Sequence, residues 1–170
     1  MTEFLLVRHG ETDWNRENRV QGHTDTPLND TGLEQARGLA DRLATETLVA
    51  AYASDLTRAR DTASIAARGH GLDVVLDPDL REKNFGSWEG LTDVEILERF
   101  PDAVRGGWGD GETTDAVAER AVAAIDRIRT LHPVGTVLVV SHGGPLRAIL
   151  AHLAVTHGPI GNCTLISVEY

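Results

Sequence analysis

Along the chain, short unbroken apolar runs alternate with segments of helical period. Residues 4–7 (Phe-Leu-Leu-Val) form a continuous apolar run, the pattern of a strand covered on both faces. Residues 48–53 and 136–140 repeat it, 73–76 predict a short strand, and 163–170 a closing one. Between these runs, Leu33, Ala36, Leu39, Ala40 and Leu43 follow helical spacing behind a capping box at residues 31–34. A second helix spans 55–68 and stops at Gly69 and Gly71. A third opens on the capping box of residues 92–95 and ends before Pro101. An alanine-rich helix covers 114–131, closed by Pro133, and a last one starts with Pro145 as its first residue. Gly106, Gly107, Gly109 and Gly111 predict a flexible loop. This alternation predicts an α/β fold, three layers (α/β/α) around a mostly parallel sheet, as one domain over residues 1–170.

Composition adds exclusions. At 170 residues the chain can bury a core without staples, and 41% hydrophobic with 25% charged residues is ordinary for a globular protein. A net charge of −10 argues against nucleic acid or anionic membranes as partners, and makes any arginine cluster more informative. The lone cysteine, Cys163, excludes an internal disulfide and a thiolate metal cage. No apolar stretch has the length of a signal-peptide core or a membrane span, so the expected location is cytoplasmic.

Chemistry gathers at strand ends. Residues 6–7 lead into Arg8-His9-Gly10, and 139–140 into Ser141-His142-Gly143-Gly144. As parallel neighbours, these strands would bring both histidines to one carboxyl edge, where open α/β sheets bind ligands. The strand at 48–53 delivers Ser54-Asp55-Leu56-Thr57-Arg58 to the same edge, with Arg58 in the first turn of a helix. Guanidinium groups beside an imidazole suit an anion, above all a phosphoryl group.

The motifs are specific. Arg8-His9-Gly10-Glu11-Thr12 with Trp14-Asn15 resembles the signature of the histidine phosphatase superfamily, also called phosphoglycerate mutase-like. Ser54-Asp55-Leu56 with Arg58-Ala59 and Thr62-Ala63 resembles its second block. Leu80-Arg81-Glu82 with Phe85-Gly86-Ser87-Trp88-Glu89-Gly90 resembles the third, and residues 141–144 the fourth, all in family order. The resemblance implies His9 as a nucleophile that becomes phosphohistidine, with Arg8, Arg58 and His142 around the phosphoryl oxygens. It implies Glu82 as proton donor to the leaving alcohol. Asn15, Gln21, Gly22 and Gly143 match substrate-binding positions. It implies no cofactor and no metal, a small phosphorylated metabolite as partner, and leaves a homodimer open. A small cap, about residues 83–112, would select the substrate, with Trp108 in its Gly-rich loop. His23, His70, His132, His152 and His157 lack paired ligand spacing and read as solvent-exposed.

The expected activity is therefore phosphomonoester hydrolysis. The alternatives are a cofactor-dependent phosphoglycerate mutase and a non-catalytic phosphate-recognising module. The short span between Glu82 and His142, and Trp88-Glu89 in the third block, resemble the family's phosphatases. The presence of both His9 and Glu82 speaks against the inert module.

Overall fold

In the computed structural model, which describes residues 1–103 and 110–170, five strands form one sheet. They are β1 (Thr2–Arg8), β2 (Leu48–Ala53), β3 (Val74–Leu76), β4 (Gly135–Ser141) and β5 (Leu165–Glu169), in the order β3-β2-β4-β1-β5. The first four in that order are parallel; β5 runs antiparallel along β1. Six helices, α1 (Asp13–Arg16), α2 (Asp30–Leu43), α3 (Thr57–Ala67), α4 (Asp93–Arg99), α5 (Thr114–Leu131) and α6 (Gly143–His152), connect the strands.

The unbroken apolar runs are explained by cover on both faces. Phe4, Leu6, Val137 and Val139 face α5 and α6, against Ile125, Ile128, Leu146, Ile149 and Leu150. Leu5, Val7, Leu138 and Val140 face α2 and α3, against Leu39, Leu43, Ala59 and Ala63. Each large side chain buried there contributes roughly 1.5–3 kcal/mol. Small alanines on α3 let that helix lie close to the sheet. A third, smaller cluster of Trp88, Leu91 and Ile96 packs with Phe85 and Phe100 in the segment expected to form the cap. The Gly-rich loop of the sequence reading, with Trp108, falls mainly on residues outside those described.

Three helix starts differ from the sequence pattern. Helix α3 begins at Thr57 rather than at 55, because Leu56 before it is extended. Helix α2 begins at Asp30, not after Thr31, because Asn29 is the cap: its side chain accepts from the Gly32 amide, 2.9 Å away. Helix α6 begins at Gly143 with His142 as its cap residue, so Pro145 stands third rather than first. By contrast, Thr92 and Glu95 form the expected reciprocal capping box at α4. Gly10 and Gly32 pack backbone to backbone: a Cβ on Gly10 would lie 2.6 Å from the Gly32 carbonyl oxygen. The glycine after His9 thus serves the approach of α2.

Candidate active site

Strand register builds the site. Arg8 lies beside Ser141 on β4, and Ala53 beside Val140, so the residues that follow emerge together at one edge. The His9 amide donates to the Ser141 carbonyl at 3.0 Å, and the Ser54 amide to the Val140 carbonyl at 3.0 Å. The His9 and His142 rings stand 5.0 Å apart between centroids. Arg58, the second residue of α3, is fully buried and directed back to the same edge.

His9 is 2% exposed, and its Nδ1 lies 2.7 Å from the Gly10 carbonyl oxygen. A carbonyl only accepts, so Nδ1 carries the proton and a neutral ring keeps its lone pair on Nε2. Burial, then Arg58 and Arg8, hold the His9 pKa well below the ordinary 6.5. His142 is lowered in the same way, first by burial and then by Arg58. Unfolded histidines take up protons as pH falls past 6.5, while these two stay neutral. Their contribution to stability is therefore complete above pH 6.5 and is lost as pH falls from there toward the depressed folded values. The same shift places the acid limb of kcat/KM for His9 below 6.5; a pH–rate profile with its acid limb at or above 6.5 would contradict it.

The arginines are fixed by main-chain carbonyls. Arg8 donates to Ile160 at 2.8 Å, and Arg58 to Thr24 at 3.0 Å and Gly22 at 2.7 Å. Burial pulls the Arg58 pKa down to about 10, which leaves it charged at neutral pH. Three buried nitrogens have no partner among the described residues: Nε of Arg8, Nε of Arg58 and Nδ1 of His142. Buried polar atoms are rarely left so, and three belong to one pocket.

At the start of α6, Glu82 Oε1 accepts from the amides of Lys83 at 2.9 Å and Gly144 at 3.1 Å. Its own main-chain carbonyl accepts from Arg120 and from His23 Nε2, each at 2.8 Å. Arg120 is locked in turn by both oxygens of Glu112 at 2.9 Å. Arg81 pairs with Asp55 instead of its neighbour Glu82. Beside Glu82 opens a cavity of about 670 Å³ between α5 and α6, lined by Lys83, Thr114, Val117, Val122, Arg147 and Ala148 among others.

The remaining sequence candidates surround this arrangement. The Asn15 side-chain oxygen accepts from the Thr12 amide and from Asn162. The Gln21 oxygen is likewise held by the hydroxyls of Thr12 and Thr26. Gly22 supplies the carbonyl that holds Arg58. Gly143 opens α6, and the positive end of that helix favours an anion. Among the described residues, no three His, Cys, Asp or Glu side chains group as metal ligands.

A profile of the histidine phosphatase superfamily (branch 1) matches residues 4–170. The chain belongs to this superfamily. This histidine phosphatase is 42% identical over 160 residues to the metal-independent phosphoserine phosphatase of Arabidopsis thaliana, covering 88% of this chain and 67% of that protein. It is 39% identical over 186 residues to a probable phosphoglycerate mutase of Photorhabdus laumondii, covering 100% and 86%. Among solved structures, Bacillus stearothermophilus YhfR superposes with a TM-score of 0.91 at 34% identity, over 99% of this chain and 91% of that one. A mycobacterial glucosyl-3-phosphoglycerate phosphatase gives 0.88 at 31%, over 98% and 90%.

Several residues of this histidine phosphatase were invisible as site residues in sequence. Asn162 donates to the His9 carbonyl at 3.0 Å. Glu89 accepts from the amides of His23, Thr24 and Phe85, fixing the loop whose carbonyls hold Arg58. Its place in the third block was the one available signal. The expectation that five histidines are merely solvent-exposed is corrected for His23, which holds Glu82, and for His132, whose Nε2 meets the Tyr52 hydroxyl at 2.9 Å.

Proposed function

We propose that this chain hydrolyses small phosphomonoesters through a phosphohistidine on His9. The observation that carries the reading is the pair of buried guanidinium N–H groups, Arg8 Nε and Arg58 Nε, left without acceptors among the described residues, beside a neutral imidazole. Equatorial phosphoryl oxygens supply those acceptors, and fixed cations there stabilise the charge of the transition state.

In the first step, the Nε2 lone pair forms a bond to phosphorus and the bond to the ester oxygen breaks. Glu82 gives its proton to that oxygen, so an alcohol leaves. The phosphorylated ring is cationic, and the Gly10 carbonyl on Nδ1–H stabilises it. In the second step Glu82 takes a proton from water as the water oxygen attacks phosphorus. The P–N bond breaks, inorganic phosphate forms, and its electron pair returns to Nε2.

The leaving alcohol would lie in the cavity beside Glu82. Lys83 and Arg147 give that cavity a cationic flank, while Val117, Val122 and Ala148 give it an apolar wall. Relatives named for phosphoserine and glucosyl-3-phosphoglycerate make those two esters the first substrates to try. The test is phosphate release from a panel of phosphomonoesters, with 3-phosphoglycerate plus 2,3-bisphosphoglycerate in parallel. Release that persists in EDTA is expected. Interconversion of phosphoglycerates faster than release would replace this reading with a mutase, and loss of activity in EDTA would remove the metal-independent mechanism.

A further inference from the structure

His142 presents a problem that its neighbours do not. A neutral imidazole has one donor and one acceptor nitrogen, and only the donor can help a phosphoryl oxygen; a lone pair aimed at it would repel. The nitrogen left without a partner is Nδ1, while Nε2 lies 2.8 Å from the Ser54 hydroxyl oxygen. Which nitrogen holds the proton is therefore decided by Ser54.

We infer that Ser54 is a positioning residue that donates its hydroxyl proton to His142 Nε2, so that neutral His142 presents Nδ1–H to the phosphoryl group. Ser54 Oγ already accepts a hydrogen bond from the Leu56 amide at 3.3 Å. Among the described residues its only other partner is His142. Ser54 is fully buried, so an O–H directed elsewhere would find no acceptor. With the proton on His142 Nε2 instead, the hydroxyl proton would be stranded and Nδ1 would meet the anion with a lone pair. With the proton on Nδ1, every group at this edge is satisfied once an oxyanion binds. A doubly protonated ring would also donate from Nδ1, but burial beside Arg58 and Arg8 opposes that charge.

The backbone explains why residue 54 can do this. Strands β2 and β4 end side by side, so the first residue past β2 stands next to the turn that carries His142. In the sequence reading Ser54 was part of a block with no role of its own.

This inference rests on the phosphate-pocket reading, and the two can fail separately. Hydrolysis of p-nitrophenyl phosphate by the unaltered protein tests the pocket. The tautomer is tested by ¹⁵N NMR of histidine-labelled protein at pH 7.5, with His142→Gln identifying the His142 signals by their loss. The expected spectrum shows Nδ1 protonated and Nε2 bare. In Ser54→Ala that signature is lost, and affinity for inorganic phosphate and vanadate weakens by about tenfold. A proton on Nε2 in the unaltered protein, or a doubly protonated ring, overturns the inference whether or not the variant folds. An Ser54→Ala protein with unchanged tautomer and unchanged phosphate affinity overturns it as well.

Discussion

Replacing His9 by alanine is expected to lower phosphate release by on the order of 10⁴-fold or more, to the background of the assay. The loss should be confined to covalent chemistry. Arg8 and Arg58 are held by the carbonyls of Ile160, Thr24 and Gly22, none of which depends on the His9 ring. Inorganic phosphate and vanadate should therefore bind the His9→Ala protein within a few-fold of the unaltered affinity. Brief incubation with a ³²P-labelled ester, followed by alkaline quenching, should label the unaltered chain and leave the variant unlabelled. Full hydrolytic activity in His9→Ala would sink the assignment; loss of binding together with activity would place the ring's role in shaping the pocket.

The second large effect belongs to Glu82, and its signature is dependence on the leaving group. A Glu82→Gln side chain keeps the oxygen that accepts from the Lys83 and Gly144 amides but has no acidic proton to give. Alkyl esters, whose alkoxides are poor leaving groups, should lose about 10²–10⁴ in kcat. The p-nitrophenyl ester, which needs little protonation, should lose far less. Gly144→Ala offers an independent check, because a Cβ there would stand 2.3 Å from Glu82 Oε1 and displace the carboxylate while leaving it an acid. It should shift the same ratio in the same direction by a smaller amount. Equal losses on both classes of ester, in both variants, would deny Glu82 the role of acid.

The parts of this molecule that were legible in the sequence are those set by local rules. The apolar runs at 4–7 and 136–140 announced strands buried on both faces, and the alanine-rich segment became α5 over Thr114–Leu131. Arg8, His9, Arg58, Glu82 and His142 could be named because each sits at a strand end or in a recognisable block, and the structure brings them to one edge. What could not be read were the supports. Arg120 reaches Glu82 from the middle of a helix, with nothing in its neighbourhood to distinguish it from a solvated arginine. Asn162 and His23 act on carbonyls far away in sequence, and a hydrogen bond to a main chain leaves no residue pattern at its other end. The start of α2 was misplaced for a related reason. Asn29 competes with Thr31 for the cap, and Asn29 also donates to Glu11, a contact across the loop that decides between them.

The tether between Asn162 and the His9 carbonyl spans 153 positions, and that of Arg8 to Ile160 spans 152. The amide of Cys163 closes on the Arg8 carbonyl as well. On the ribosome, the Arg8-His9 motif emerges long before the residues that fix its backbone and its guanidinium. Contacts of such long range form late, after loop closure over most of the domain. A nascent or truncated chain ending before residue 160 would thus carry His9 without these anchors. The proposed phosphate transfer is in this way reserved for molecules whose synthesis has run past Cys163.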